Sequence, residues 1–195
     1  MYNLRLRFAL FAFLLSTSPF LSLASSASAT PLEFSGKDLR QMSPASPAVK
    51  VATTDAEHLV VLFLSAKCPC SMSHMEEIKN LAKDFPDFKF VAINSNLNEP
   101  QEMGTSFFSK AELSFPVLRD ENLKYADLLK ASKTPHAFVL TKNGEIIYQG
   151  GVSDSAKFPN SKRRFLREAL TDLKSKLPIK TPIARALGCA IARSE

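Results

Sequence analysis

Apolar residues follow two different periods along this chain. Leu59-Val60-Val61-Leu62-Phe63-Leu64 is an unbroken apolar run that stops at Ser65, as expected of a strand covered on both faces of a sheet. Met72, Met75, Ile78, Leu81, Ala82 and Phe85 then recur at helical spacing. Ser73 and Glu76 are placed to form a capping box at the start of that helix. A strand followed by a helix predicts a crossover unit, and the alternation continues with a strand over 88–93, a helix within 101–112, a short strand at 115–118 and a helix over 122–131. Residues 136–141 and 145–149 are strand-like runs joined by Lys142-Asn143-Gly144. The Asn-Gly pair suits a hairpin turn that needs positive φ. Residues 161–177 close the pattern with Leu166, Ala169, Leu170, Leu173 and Leu177 on one stripe, stopped by Pro178. No internal repeat is visible. The expected fold is α/β: a central mixed sheet whose parallel crossovers end in an antiparallel hairpin, with helices on both faces.

The ends of the chain read differently. Residues 1–29 carry Arg5 and Arg7, an apolar stretch from Phe8 to Leu15 relayed to Leu23, and the small-residue site Ala27-Ser28-Ala29. This is the pattern of a cleavable export signal, so the mature protein is expected from Thr30, in the periplasm or secreted. Ser16, Ser18 and Pro19 interrupt the apolar run, and no other run approaches the roughly 20 apolar residues of a spanning helix. No integral membrane segment is therefore expected. Residues 30–56, rich in Pro, Ser, Ala and Thr, read as an N-terminal lead-in with at most one short strand near 49–51. The folded domain is expected over 57–178, followed by a tail, 179–195, that carries Cys189.

Composition narrows the function classes. With 45% hydrophobic residues, intrinsic disorder throughout is excluded. Lys and Arg number 25 against 19 Asp and Glu, and Lys162-Arg163-Arg164 is the densest basic cluster. That balance is mild and reads as a solvated face, so no nucleic-acid partner is expected.

Three cysteines, Cys68, Cys70 and Cys189, remain in a chain expected to leave the reducing cytoplasm. A domain of this length does not need a disulfide for stability, so the thiols call for a chemical explanation. Lys67-Cys68-Pro69-Cys70-Ser71 lies between a buried strand and a helix start, where unpaired amides and the positive end of the helix dipole favour an anion. A free thiol titrates near pH ~8.5 and such surroundings lower it. Cys68 is thus the candidate nucleophile, with Lys67 as a further activating charge. A Cys68–Cys70 disulfide would be tight, because Pro69 restricts the backbone between them. Cys189 is the alternative partner.

Taken together, KCPCS (67–71), VAINSN (91–96), FPVLRD (115–120), KTPHAFVLTKNGEIIYQGGVSDS (133–155) and GCAI (188–191) resemble the thioredoxin fold, and in particular its exported redoxin branch related to peroxiredoxins and alkyl hydroperoxide reductases. The resemblance implies that Pro135, after Thr134, is cis and faces the active-site cysteine, and that Cys189 belongs to the site. The chain also departs from these families. The second cysteine of a thioredoxin Cys-x-x-Cys would fall at Ser71, its tryptophan at Lys67 and its buried carboxylate at Leu62, while the peroxiredoxin Pro and Thr positions hold Val61 and Ser65.

The resemblance implies an exported thiol-disulfide oxidoreductase in which Cys68 attacks and Cys70 or Cys189 resolves, acting on a thiol- or disulfide-bearing protein with a separate redox partner and no bound cofactor. Cys70 is slightly favoured for its proximity. Two alternatives remain open. One is a peroxiredoxin-like thiol peroxidase, for which Arg119 would have to leave the solvated surface expected for it. The other is a copper(I)-binding or delivery protein using Cys68, Cys70, Met72, His74 and His136, a soft ligand set, although Met72 is expected to pack and His74 to face solvent. His58, at a strand entrance, is expected to stand apart.

Overall fold

The computed structural model describes residues 30–194 apart from residue 44. The expected export signal lies outside the described residues. The elements run β1 (Glu33–Gly36), β2 (Val49–Ala52), β3 (His58–Phe63), α1 (Pro69–Asp84), β4 (Lys89–Asn94), α2 (Gln101–Phe108), β5 (Val117–Arg119), α3 (Lys124–Leu128), β6 (Lys133–Thr134), β7 (His136–Thr141), β8 (Ile146–Gly150), α4 (Phe165–Lys174) and β9 (Cys189–Ala190). Five strands form the central sheet in the order β5-β4-β3-β7-β8. β3, β4 and β5 are parallel, and β7 and β8 run antiparallel to form the hairpin. Gly144 turns that hairpin at φ 85°, a conformation open to glycine without a Cβ penalty. This is the mixed α/β sheet expected from the sequence.

β3 shows why its apolar run is unbroken. Val60, Leu62 and Leu64 point into one core with Ile78 and Leu81 of α1 and Leu166 and Leu170 of α4. Leu59, Val61 and Phe63 point into the opposite core with Phe34, Tyr125 and Phe138. Leu62 is fully buried, so Leu62→Ala is expected to lower unfolding free energy by about 2–4 kcal/mol. A urea melt of the reduced protein checks this, and an unchanged midpoint would contradict the packing.

Several local expectations need correction. The lead-in segment forms two strands, not one: β1 and β2 pair antiparallel and bury Phe34 and Val51. Just beyond β1, the chain hydrogen-bonds along β5 through Leu39 N to Val117 O and Arg119 N to Lys37 O. α1 begins at Pro69, so Ser73 lies inside it and its hydroxyl accepts from the Phe158 amide; there is no Ser73–Glu76 box. The helices expected within 101–112 and over 122–131 are shorter: α2 ends at Phe108, and Asn122, Leu123 and Lys130 adopt positive φ on either side of α3. α4 stops before Lys176, also at positive φ, and leaves Leu177 exposed.

Candidate functional site

Cys68 lies between the end of β3 and the start of α1, and it caps the helix. Its Sγ accepts a hydrogen bond from the Ser71 amide at 3.4 Å. Pro69 takes the first helical position, where a missing N–H costs nothing. The residue is 1% exposed, and its S–H donates to the Thr134 carbonyl at 2.9 Å. The Thr134–Pro135 peptide bond is cis, so the Thr-Pro loop closes directly over the cysteine.

The tail brings the third thiol. β9 pairs antiparallel with β6, with Thr134 opposite Cys189 and Lys133 opposite Ala190. The Sγ atoms of Cys68, Cys70 and Cys189 consequently lie within 4.8 Å of one another. Two segments remote in sequence thus bring their free thiols together against the Thr134–Pro135 loop.

Burial works against a Cys68 thiolate, but hydrogen bonding outweighs it. Contacts with Cys189, Thr134 and the Ser71 amide bring the Cys68 pKa down from 9.0 to about 7. The S–H bond to the Thr134 carbonyl exists only in the protonated form and opposes this shift, but the capping position favours the anion. Burial and the Cys68 charge push Cys70 up. Burial, then hydrogen bonding to Cys68 and its charge, push Cys189 up to about 12. Alkylation of Cys68 is therefore expected to reach half its maximal rate near pH 7, with the other two thiols lagging. A site-resolved iodoacetamide profile with all three thiols rising together near pH 9 would contradict this. Because the folded pKa is the lower one, ionisation of Cys68 adds stability that is complete above pH 9 and is lost as pH falls through 7.

The other candidate residues sort unevenly. Lys67 directs its ammonium to the Asn98 carbonyl at 2.9 Å and is not among the groups that lower the Cys68 pKa, so its expected activating role is not visible. Met72 is 43% exposed and does not pack as expected. His74 is buried, contrary to the solvent-facing expectation: its Nδ1 meets the Cys70 carbonyl at 2.7 Å and its Nε2 the Ser153 hydroxyl at 2.8 Å. A carbonyl only accepts, so Nδ1 carries the proton, and His74 pins the first turn of α1. His136 tilts against Phe138 with ring centroids 4.5 Å apart, and burial pulls its pKa down to about 4. Its Nδ1 has no partner among the described residues, where the convergent ligand group consists of sulfurs alone. Arg119 is half-buried and donates to Asn94 Oδ1 at 2.6 Å. His58 stacks on Phe88, apart from the thiols.

One residue at the site escaped sequence reasoning. Glu99 is fully buried below the loop that leads into Cys68. Its carboxylate accepts from the Ser65 hydroxyl, from the Ala66 and Lys67 amides at 3.1 and 3.3 Å, and from Asn94 Nδ2 at 2.7 Å. A single acidic residue before Pro100 in a loop gives no periodic signal; its burial depends on the fold.

The architecture and this site define a thioredoxin-like fold, and a family model described as thioredoxin-like matches residues 57–146. Among solved structures, the chain is similar to an uncharacterized conserved protein from Geobacillus kaustophilus at 24% identity, covering 85% of this chain and 89% of that one with a TM-score of 0.69. It is similar to a hypothetical protein from Sinorhizobium meliloti at 23% identity, covering 87% and 96% with a TM-score of 0.70. It also shares the fold of a putative thiol:disulfide interchange protein DsbE from Chlorobium tepidum, at 16% identity over 60% of this chain and 79% of that one, TM-score 0.51. A comparison with curated protein sequences gave no match. No helix among the described residues is long and apolar enough to cross a membrane.

Proposed function

We propose that the chain is an exported thiol-disulfide oxidoreductase in which Cys68 is the attacking thiolate and Cys70 or Cys189 resolves. The observation that carries this reading is the convergence of three sulfurs within 4.8 Å at the start of α1, against the cis Thr134–Pro135 loop. Cys68 attacks a disulfide of a client protein and forms a mixed disulfide, which a neighbouring thiol then cleaves. That first step also prepares the second. Once the Cys68 charge is consumed, one of the causes that hold Cys189 and Cys70 protonated disappears. The interchange activity named for the Chlorobium tepidum protein is in keeping with this chemistry. The export reading rests on the 1–29 pattern.

Thiol mapping tests the proposal. The mature protein is equilibrated in defined glutathione buffers, and its disulfides are located by mass spectrometry. The expected result is a reversible bond between Cys68 and either Cys70 or Cys189. A midpoint above about −230 mV would mark an oxidase or isomerase, and a lower one a reductase. If all three thiols stay reduced under oxidising buffer, the reading fails. Peroxide consumption with sulfenic acid at Cys68 would instead favour the peroxidase alternative.

The same trio favours a second reading, as a copper(I) site. Three thiolates from two segments, the start of α1 and the tail, form a soft, convergent set, although His74 is committed elsewhere. This reading expects one copper(I) per chain in competition with a chromogenic chelator, with binding lost when any of the three cysteines is replaced. Binding that survives Cys189→Ser would exclude the trio as the site.

A further inference from the structure

After α4, the chain returns along one edge of the domain to the thiols. Gln149 of β8 donates to the Pro182 carbonyl at 2.9 Å, and the Ala184 amide donates to Gln149 O at 3.0 Å. Farther on, Gly188 lies flat on Thr134, where a Cβ would stand 2.0 Å from the Thr134 carbonyl oxygen. Cys189 and Ala190 then pair with β6, the Ile191 amide donates to Ser132 O at 3.1 Å, and the Ala192 amide donates to Asn96 Oδ1 at 2.8 Å. β6 is a two-residue edge outside the central sheet, and among the described residues its strand partner is this tail. An exposed edge is a site where an extended peptide adds by main-chain hydrogen bonds.

We propose that β9 is a built-in stand-in for the client. The edge of β6 is the docking surface for an extended segment that carries a cysteine between small residues, and the tail must lift before a client docks there. This deepens the oxidoreductase reading and rests on it.

Three observations support the assignment. The register sets Cys189 opposite Thr134, whose carbonyl receives the Cys68 S–H, so a cysteine at that register position is delivered to Cys68. Gly188 and Ala190 flank it, and the contact at Gly188 leaves no room for a side chain. The tail is also held at the surface by polar contacts more than by packing: of residues 186–194 Ile191 alone is buried, and Arg193 pairs with the exposed Asp127 and the Ala131 carbonyl.

The exchange then proceeds in two balanced steps. With the tail lifted, the Cys68 thiolate attacks one sulfur of a client disulfide; the client's other sulfur leaves as a thiolate and takes up a proton. When the tail returns, Cys189 gives up its proton and attacks Cys68 Sγ, and the first client sulfur leaves with that proton. The client disulfide becomes two thiols while Cys68 and Cys189 become a disulfide. The returning strand also displaces the client from β6, which makes Cys189, not Cys70, the resolving thiol.

The test uses the full mature chain and two variants that loosen the tail but keep Cys189: Gly188→Val and Ile191→Ser. One probe is a synthetic peptide with the sequence of residues 186–192, its cysteine activated as a thionitrobenzoate disulfide. The other is 2-hydroxyethyl disulfide, which has no peptide main chain to pair with the edge. In both variants the peptide is expected to modify Cys68 about tenfold faster than in the parent, while hydroxyethyl disulfide changes less than about twofold. Equal acceleration of both probes, or none for the peptide in either variant, would overturn the client-strand assignment alone. If Cys68 reacts with neither probe in any of the three proteins, the oxidoreductase reading falls as well.

Discussion

Cys68→Ser is expected to abolish disulfide exchange, with a rate loss of about 10²–10³ and no loss of fold. The size follows from the thiolate populations. At pH 7 about half of Cys68 is ionised if its pKa is about 7, whereas a thiol at about 12 is ionised only about once in 10⁵ molecules. The scarcer thiolate is the stronger nucleophile, and a Brønsted slope near 0.4–0.5 returns roughly two of those five decades. About three decades separate the two sulfurs. Replacing Cys68 also relieves part of what holds Cys189 up, but burial, the first cause, remains. Cys70→Ser and Cys189→Ser should differ in kind: attack persists, and the variant lacking the resolving thiol accumulates the mixed disulfide. Reduction of a fluorescent client disulfide, followed with trapping of the covalent intermediate, reads both effects. A Cys68→Ser protein retaining more than about a tenth of the parental rate would remove Cys68 from the attacking position.

What was legible in the sequence depended on how local its cause was. The unbroken run in β3 was visible because both of its faces are covered, and the Asn143-Gly144 turn because its backbone needs a positive φ at glycine. The cysteine at the strand-to-helix junction was visible because capping is a property of neighbouring residues. β1 was not visible, because four residues with one fully buried side chain, Phe34, carry no period. The position of Cys189 followed only from resemblance, since β9 has two residues and exists through pairing with β6. The expected Ser73–Glu76 box failed for a related reason: Cys68 already supplies the cap, an arrangement that depends on where the loop after β3 is held.

That loop is held by Glu99, and Glu99→Ala is expected to have the largest stability effect at the site. Four donors aim at its carboxylate: the Ser65 hydroxyl, the Ala66 and Lys67 amides and Asn94 Nδ2. Removing the acceptor leaves the buried Ser65 hydroxyl and Ala66 amide without it, while the Lys67 amide keeps Ser65 Oγ and Asn94 Nδ2 keeps Leu64 O, at a cost of about 3–5 kcal/mol. Glu99→Gln is expected to be nearly as harmful, because in either orientation its amide NH₂ would face a backbone N–H, that of Ala66 on one side or Lys67 on the other. The consequence for Cys68 separates two roles for the carboxylate. If Glu99 acts by position, releasing residues 65–67 loosens the Cys68 amide from the Ser65 carbonyl, now 3.3 Å away, and weakens the hydrogen bonds that lower its pKa. The alkylation midpoint then moves from about 7 towards 9.0. If instead its negative charge acts on the thiolate directly, removing the charge moves the midpoint below 7. The groups that set the Cys68 pKa are Cys189, Thr134 and Ser71, with no contribution from Glu99, so an upward shift is expected. A downward shift measured in Glu99→Gln under native conditions would overturn the positioning role.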